Sequence, residues 1–246
     1  MIEHLSYSQL STYESCPRSW YLGKVIKAEE KPTWFLSIGT AVHKMIEDHI
    51  AASSPADLPS AEEYFYPLVE KQMLIEPDTS KWLSGSANGV AAVGEVALQQ
   101  VKDCFEKALE FLDQIDVWEV EYDASGRLPG LDVRVVAYVD IIGEHKKHGP
   151  VIADWKTGSQ KPKDAFQLET YAALLRSDGR FGSIDFKGLW MMLKPGASVA
   201  RSISLEDVKP EMIGSRYQSA LEQMNKKIYA TKHAKFKCEF CFHQEN

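Results

Sequence analysis

An α/β fold, with a small mixed sheet covered by helices and a helical section before it, is predicted from a change of pattern near Val117. Ahead of that point apolar residues recur at helical spacing; beyond it short β-branched runs alternate with turns. No internal repeat, low-complexity tract or interdomain linker interrupts the 246 residues, so they read as one domain. Its parts are a mainly helical section over 1–116, an α/β core over 117–204, and a C-terminal helix with a cysteine segment over 205–246.

Residues 6–25 predict a helix with an aromatic face of Tyr7, Leu10, Tyr13 and Trp20, which Pro17 interrupts or restarts because its ring lacks an amide donor. Residues 39–50 predict a second helix with Val42, Ile46 and Ile50 on one stripe, followed by a loop over 51–60 rich in Ser and Pro. Residues 62–74 and 90–115 predict two more helices, the second long and amphipathic. Strands are predicted over 117–122, 131–142 and 151–156, with a turn over 143–150. A helix over 164–176, strands over 186–193 and 198–203, and a closing helix over 210–229 complete the chain.

Hydrophobic residues at 44% and charged residues at 26% are ordinary for a soluble globular protein. No apolar run is long enough to span a bilayer, and the opening Met1-Ile2-Glu3-His4 lacks the basic and apolar parts of a signal peptide, so a cytoplasmic location without membrane contact is expected. A net charge of −7 argues against coating nucleic acid through bulk electrostatics but leaves room for a local basic groove. Lys146, Lys147, Lys156, Lys161 and Lys163 cluster in one stretch, and Lys226, Lys227, Lys232, Lys235 and Lys237 in another; either set reads equally as solvated surface or as a path for DNA.

The chemistry is concentrated in Val151-Ile152-Ala153-Asp154-Trp155-Lys156-Thr157-Gly158. Side chains two apart on a strand share a face, so Asp154 and Lys156 do. Alone, such a pair at a strand end is more often a surface ion pair. The preceding strand changes this. A hairpin centred on Lys147 sets position 140 opposite position 154, bringing Asp140 and Asp154 together, where like charges repel unless a cation lies between them. Two such carboxylates suit a hard, oxygen-seeking ion such as Mg²⁺ or Mn²⁺. An ion there would acidify water and polarise a phosphoryl oxygen, with the lysine stabilising developing negative charge.

With these residues in place, the chain resembles the RecB-type branch of the PD-(D/E)xK nuclease superfamily, which includes the CRISPR-associated iron–sulfur exonucleases and the AddB nuclease domain. The pattern falls on Asp140, on Asp154-Trp155-Lys156 and on Gln167-Leu168-Glu169-Thr170-Tyr171, with Gly39-Thr40-Ala41-Val42-His43 upstream. Leu5-Ser6-Tyr7-Ser8-Gln9-Leu10 and Cys16-Pro17-Arg18 are similar to the family's N-terminal segment. Ala137 stands where the family commonly has glycine.

The resemblance implies a restriction-endonuclease-like fold. It implies Asp140, Asp154, Lys156, Gln167 and Tyr171 as catalytic residues, and His43, Asp140, Asp154 and the Trp155 carbonyl as metal ligands. Gln167 and Tyr171 are one helical turn apart and can share a face. Glu121 sits where the family often has an acidic residue on the first strand; an exposed strand carboxylate fits it equally well.

The implied reaction is hydrolysis of DNA phosphodiester bonds, as an exonuclease on single-stranded DNA with free ends. The alternatives are an RNA-directed nuclease and a catalytically silent iron–sulfur or zinc protein that binds nucleic acid. Relatives with a 4Fe–4S cluster hold it with one N-terminal and three C-terminal cysteines. Cys16, Cys238 and Cys241 match three of these, while a fourth would fall just beyond Asn246. Zinc on Cys16, Cys238, Cys241 and His243, or two unligated thiols, remain open. Cys104 reads as a core thiol.

Overall fold

The structure, a computed structural model, describes residues 2–54, 58–83, 93–159, 162, 164–196 and 202–232. Among them the order is β1 (His4–Leu5), α1 (Tyr7–Ser15), α2 (Pro17–Tyr21), a π-helical turn (Leu22–Ile26), α3 (Trp34–Ala51), α4 (Ala61–Met73), a 3₁₀ turn (Thr79–Lys81), α5 (Val93–Leu112), β2 (Ile115–Asp123), β3 (Arg134–Val135), β4 (Tyr138–His145), β5 (Gly149–Lys156), α6 (Phe166–Leu175), β6 (Lys187–Met192), β7 (Ile203–Ser204) and α7 (Pro210–Asn225). No helix among the described residues is long and apolar enough to cross a membrane.

Five strands form a mixed sheet in the order β2-β4-β5-β6-β7. Its pairs are antiparallel except β5–β6, which run parallel and are joined through α6. The sheet separates two apolar cores. One joins Trp34, Val42 and Ile46 of α3, Phe65 of α4 and Val101 of α5 to Ile141, Ala153 and Trp155. The other joins Leu10 and Tyr13 of α1, Leu168 and Leu175 of α6 and Tyr217 of α7 to Ile142 and Ile152. This is the mixed sheet flanked by helices that the pattern predicts.

Several boundaries differ for identifiable reasons. The first predicted helix divides at Cys16, which ends α1 in extended geometry and precedes Pro17 at the first position of α2. The second starts five residues early, at Trp34, because Thr33 caps it by accepting from the Phe35 amide at 3.3 Å. The run over 131–142 is two strands: Arg134–Val135 pairs in parallel with His4–Leu5, and the central sheet resumes only at Tyr138. The closing helix ends at Asn225, since Lys227 takes the left-handed conformation (φ 55°). The last predicted strand is the short Ile203–Ser204; residues 197–201 lie outside the described ones.

Gly143 on β4 fixes how closely β2 approaches. A Cβ there would stand 2.5 Å from the Asp116 carbonyl oxygen and 2.8 Å from Ile115 Cγ2. Backbone cannot move aside as a side chain can, so Gly143→Ala is expected to cost about 1–3 kcal/mol and lower Tm by several degrees. At Gly188 the nearest atom is the tip of Leu168, 2.8 Å away, so Gly188→Ala should cost less. Thermal melts of the two variants check the ranking; equal losses would contradict it.

Candidate active site

The site lies at the open end of the β4–β5 hairpin. The turn is at 146–148, centred on Lys147 as predicted but shorter than the 143–150 expected because both strands run further, and Ile141 faces Ala153, so the next position outward sets 140 against 154. The ladder stops there. Asp140 Oδ2 instead accepts a 2.8 Å hydrogen bond from the Trp155 amide, a carboxylate standing in for the next rung. Both carboxylates are buried, Asp140 at 7% exposure and Asp154 at 2%.

His43 and Glu121 complete a cluster around Asp140. His43 comes from α3, which passes the end of β5 closely: a Cβ on Gly39 would stand 3.6 Å from Thr157 Oγ1. His43 Nδ1 is 3.7 Å from Asp140 Oδ2 and 3.9 Å from Glu121 Oε1. One ligand atom from each of the three lies within 4.8 Å of the others.

Glu121 reaches this position through a backbone distortion. β2 carries a bulge between Val117 and Glu119, after which Val120 faces Ile141 and Tyr122 faces Val139, leaving Glu121 beside Asp140. Glu121 itself has φ 48°, a left-handed conformation that costs a non-glycine residue about 1–2 kcal/mol. Residues two apart on a strand normally share a face. Here Val120 packs into the core of α3 and α5 while Tyr122 packs into the opposite one. The kink turns the strand over at the glutamate.

Asp154 stands outside that trio and faces α6. Gln167 Nε2 donates to Asp154 Oδ1 at 2.5 Å and lies 2.8 Å from Tyr171 Oη, while its Oε1 accepts from Lys156 Nζ at 3.0 Å. Lys156 Nζ is also 2.5 Å from Asp154 Oδ2 and 5.0 Å from the centre of the Trp190 ring. That carboxylate oxygen is buried and, despite the ion pair, accepts no hydrogen bond of normal geometry. Burial and the neighbouring Asp154 push Asp140 well above the usual carboxylate range. Burial also raises Asp154, against the pull of Lys156. His43 is disfavoured as a cation by burial, but Glu121, Asp140 and Asp154 outweigh this and raise it.

The donor set fits a hard divalent ion: two carboxylates and an imidazole offer ligand atoms within 4.8 Å of one another, and beside them a buried oxygen of Asp154 is short of donors. Of the residues expected from sequence, His43, Asp140, Asp154, Lys156, Gln167 and Tyr171 come together here. Trp155 contributes its amide to Asp140 and buries its side chain in the core of α3 and α5. Glu121 joins the cluster although its sequence context left it undecided. Lys146 and Lys147 do not: they occupy the turn at the far end of the hairpin, where Lys146 Nζ donates to the Asp113 carbonyl. Lys161 and Lys163 lie outside the described residues, as do Lys235, Lys237, Cys238, Cys241 and His243. Cys16 is partly exposed between α1 and α2; Cys104 is a buried core thiol that burial pushes up to about 12.

Residues 4–245 match the sequence profile of the PD-(D/E)XK nuclease superfamily. Gene 69 protein of Mycobacterium phage D29 is 29% identical over 187 aligned positions, covering 68% of this chain and 66% of that protein, just under two thirds of its length. The crystal structure of a candidate exonuclease from Eubacterium rectale superposes with a TM-score of 0.51 at 14% identity, covering 94% of this chain and 84% of that one, a likeness of fold. Members of the superfamily use divalent metals and act on nucleic acid. With the profile spanning nearly all of its length and the mixed sheet carrying the acidic cluster, this chain belongs to the PD-(D/E)XK nuclease superfamily.

Proposed function

We propose that the protein is a divalent-metal-dependent exodeoxyribonuclease that hydrolyses single-stranded DNA from free ends. The observation that carries the reading is the convergence of His43, Glu121 and Asp140 beside the Asp154–Lys156–Gln167 network. His43, Glu121, Asp140, Asp154 and the Trp155 carbonyl are the residues that would hold Mg²⁺ or Mn²⁺. When bound, the ion supplies Lewis acidity to a phosphoryl oxygen and acidifies water. Lys156 places a cation beside Asp154 at the rim, positioned to stabilise charge that builds on the phosphate. Gln167 holds Lys156 and Asp154 in register through both ends of its amide, and Tyr171 backs it from the next turn of α6. A free-end preference follows from the exonuclease resemblance.

Asp154→Ala and Lys156→Ala should each lower cleavage of end-labelled single-stranded DNA, with Mg²⁺ or Mn²⁺ present, by two or more orders of magnitude. Duplex DNA and RNA run in parallel test the substrate preference. Undiminished cleavage by Asp154→Ala would remove the assigned site, and faster cleavage of RNA would reassign the substrate.

A second metal centre is proposed on Cys16, Cys238 and Cys241, as a 4Fe–4S cluster. It is supported by the return of residues 228–232 to the α1–α2 junction. Tyr13 Oη donates to the Ile228 carbonyl at 2.6 Å, Tyr229 stacks on Tyr21 with ring centres 4.3 Å apart, and Lys232 Nζ donates to the Glu14 carbonyl at 2.7 Å. A centre closing so long a loop would stabilise the fold by restricting the unfolded chain. Protein purified without oxygen should be brown and contain iron and sulfide. Cys16→Ala and Cys238→Ala should each lose the colour and lower Tm, while Cys104→Ala keeps the colour. Colourless protein with stoichiometric zinc would favour the Cys/His site, and metal-free protein would refute both.

A further inference from the structure

A groove of about 820 Å³ lies between β1, the π-helical turn after α2 and the C-terminal end of α7, and it shares no residue with the active-site cluster. Lys24, Lys27 and Lys227 line it and are exposed, as is His4, against one carboxylate, Glu3. The excess of positive charge is local; the chain as a whole carries −7.

Four features of the groove point the same way. Its floor is aromatic: Trp20 and half-buried Tyr229 line it with ring centres 6.0 Å apart, and Tyr21 stacks on the back of Tyr229. Trp20 is only 2% exposed, yet its indole Nε1 has no hydrogen-bond partner among the described residues, a buried donor of the kind that is ordinarily satisfied. Lys27 and Lys227 both hold left-handed backbone, φ 56° and 55°, just past the ends of helices, where glycine is the usual occupant. Lysine at these positions is held against a steric cost that glycine would not meet. The wall that carries Lys24 is π-helical, a rare geometry that concentrates at functional sites.

A basic channel with an aromatic floor is the combination that holds single-stranded nucleic acid, cations following the phosphates while bases stack on rings. We infer that this groove binds a single-stranded segment of the nucleic-acid substrate, with phosphates on Lys24, Lys27 and Lys227, a base against Tyr229, and the Trp20 indole N–H donating to a base edge. The inference takes its ligand class from the nuclease reading but not its residues. The C-terminal lysines accordingly divide: Lys227 faces the groove, whereas Lys232 is spent on the Glu14 carbonyl in a neighbouring cleft.

The test is fluorescence anisotropy of a labelled oligothymidylate on the full chain, without added divalent ion, across a range of salt. Lys24→Gln/Lys27→Gln/Lys227→Gln should weaken binding roughly 10–100-fold near 0.1 M salt and flatten the log–log salt slope by about 2, since each phosphate contact on a single strand contributes about 0.7. Trp20→Phe should weaken binding roughly two- to tenfold with the slope unchanged, the signature of one lost neutral hydrogen bond. Lys71→Gln/Lys81→Gln/Lys107→Gln, with the same charge change elsewhere, should match wild type. Equal affinity and slope for the groove variant and wild type would overturn the inference, as would an equal loss in the control variant. Displacement of the oligonucleotide by inorganic phosphate at matched phosphate concentration would also overturn it, reducing the groove to an anion site. If wild type cleaves nothing while the groove variant still loses binding, the nuclease reading fails and the groove stands.

Discussion

Two buried carboxylates at the open end of one hairpin, Asp140 and Asp154, are the constraint around which the site is organised. Burying an ionised carboxylate is costly unless it is paired and hydrogen-bonded, and two together repel. Each has been given partners from a different direction. The Trp155 amide and His43 serve Asp140, while Lys156 and Gln167 serve Asp154. The compensation is incomplete, since Asp154 Oδ2 still lacks a proper donor and both acids are raised. A divalent cation held between them would complete it.

The surrounding elements follow from supplying those partners. α3 must pass the end of β5 to deliver His43, and Gln100 Nε2 on α5 donates to the Thr157 carbonyl at that same end. The parallel β5–β6 pair requires a crossover, and α6 in that crossover presents Gln167 and Tyr171 to the face carrying Asp154. β2 is bulged, then kinked at Glu121, so a third carboxylate meets the first. Strain of this kind persists only where surrounding packing enforces it, and here the cores on both faces of the sheet do so.

What could be read from sequence was whatever depends on local period. A turn centred on Lys147 fixes the pairing of 140 with 154, and the i, i+4 spacing of Gln167 and Tyr171 places both on one face of α6. Glu121 was not legible, because its place depends on a bulge three residues earlier and on a left-handed torsion that nothing in Val120-Glu121-Tyr122 announces. The run over 131–142 looks like one strand because β-branched residues report strand character and not the identity of the partner; Val135 and Val136 are engaged by β1, whose Leu5 carbonyl accepts from the Val136 amide. Basic clustering in sequence was undecided for the same reason: Lys146 and Lys147 are near Lys156 in number but at the opposite end of the hairpin, whereas Lys24, Lys27 and Lys227 share one groove from opposite ends of the chain.

On the proposed reading, His43, Glu121, Asp140 and Asp154 together hold one cation. Isothermal titration of Mn²⁺ into wild type and into Glu121→Gln, Asp140→Asn and Asp154→Asn tests it without reference to turnover. Saturable binding in wild type, weakened about tenfold or more in each variant, is the predicted result. Unchanged affinity and stoichiometry in the Glu121→Gln/Asp140→Asn double variant would contradict it.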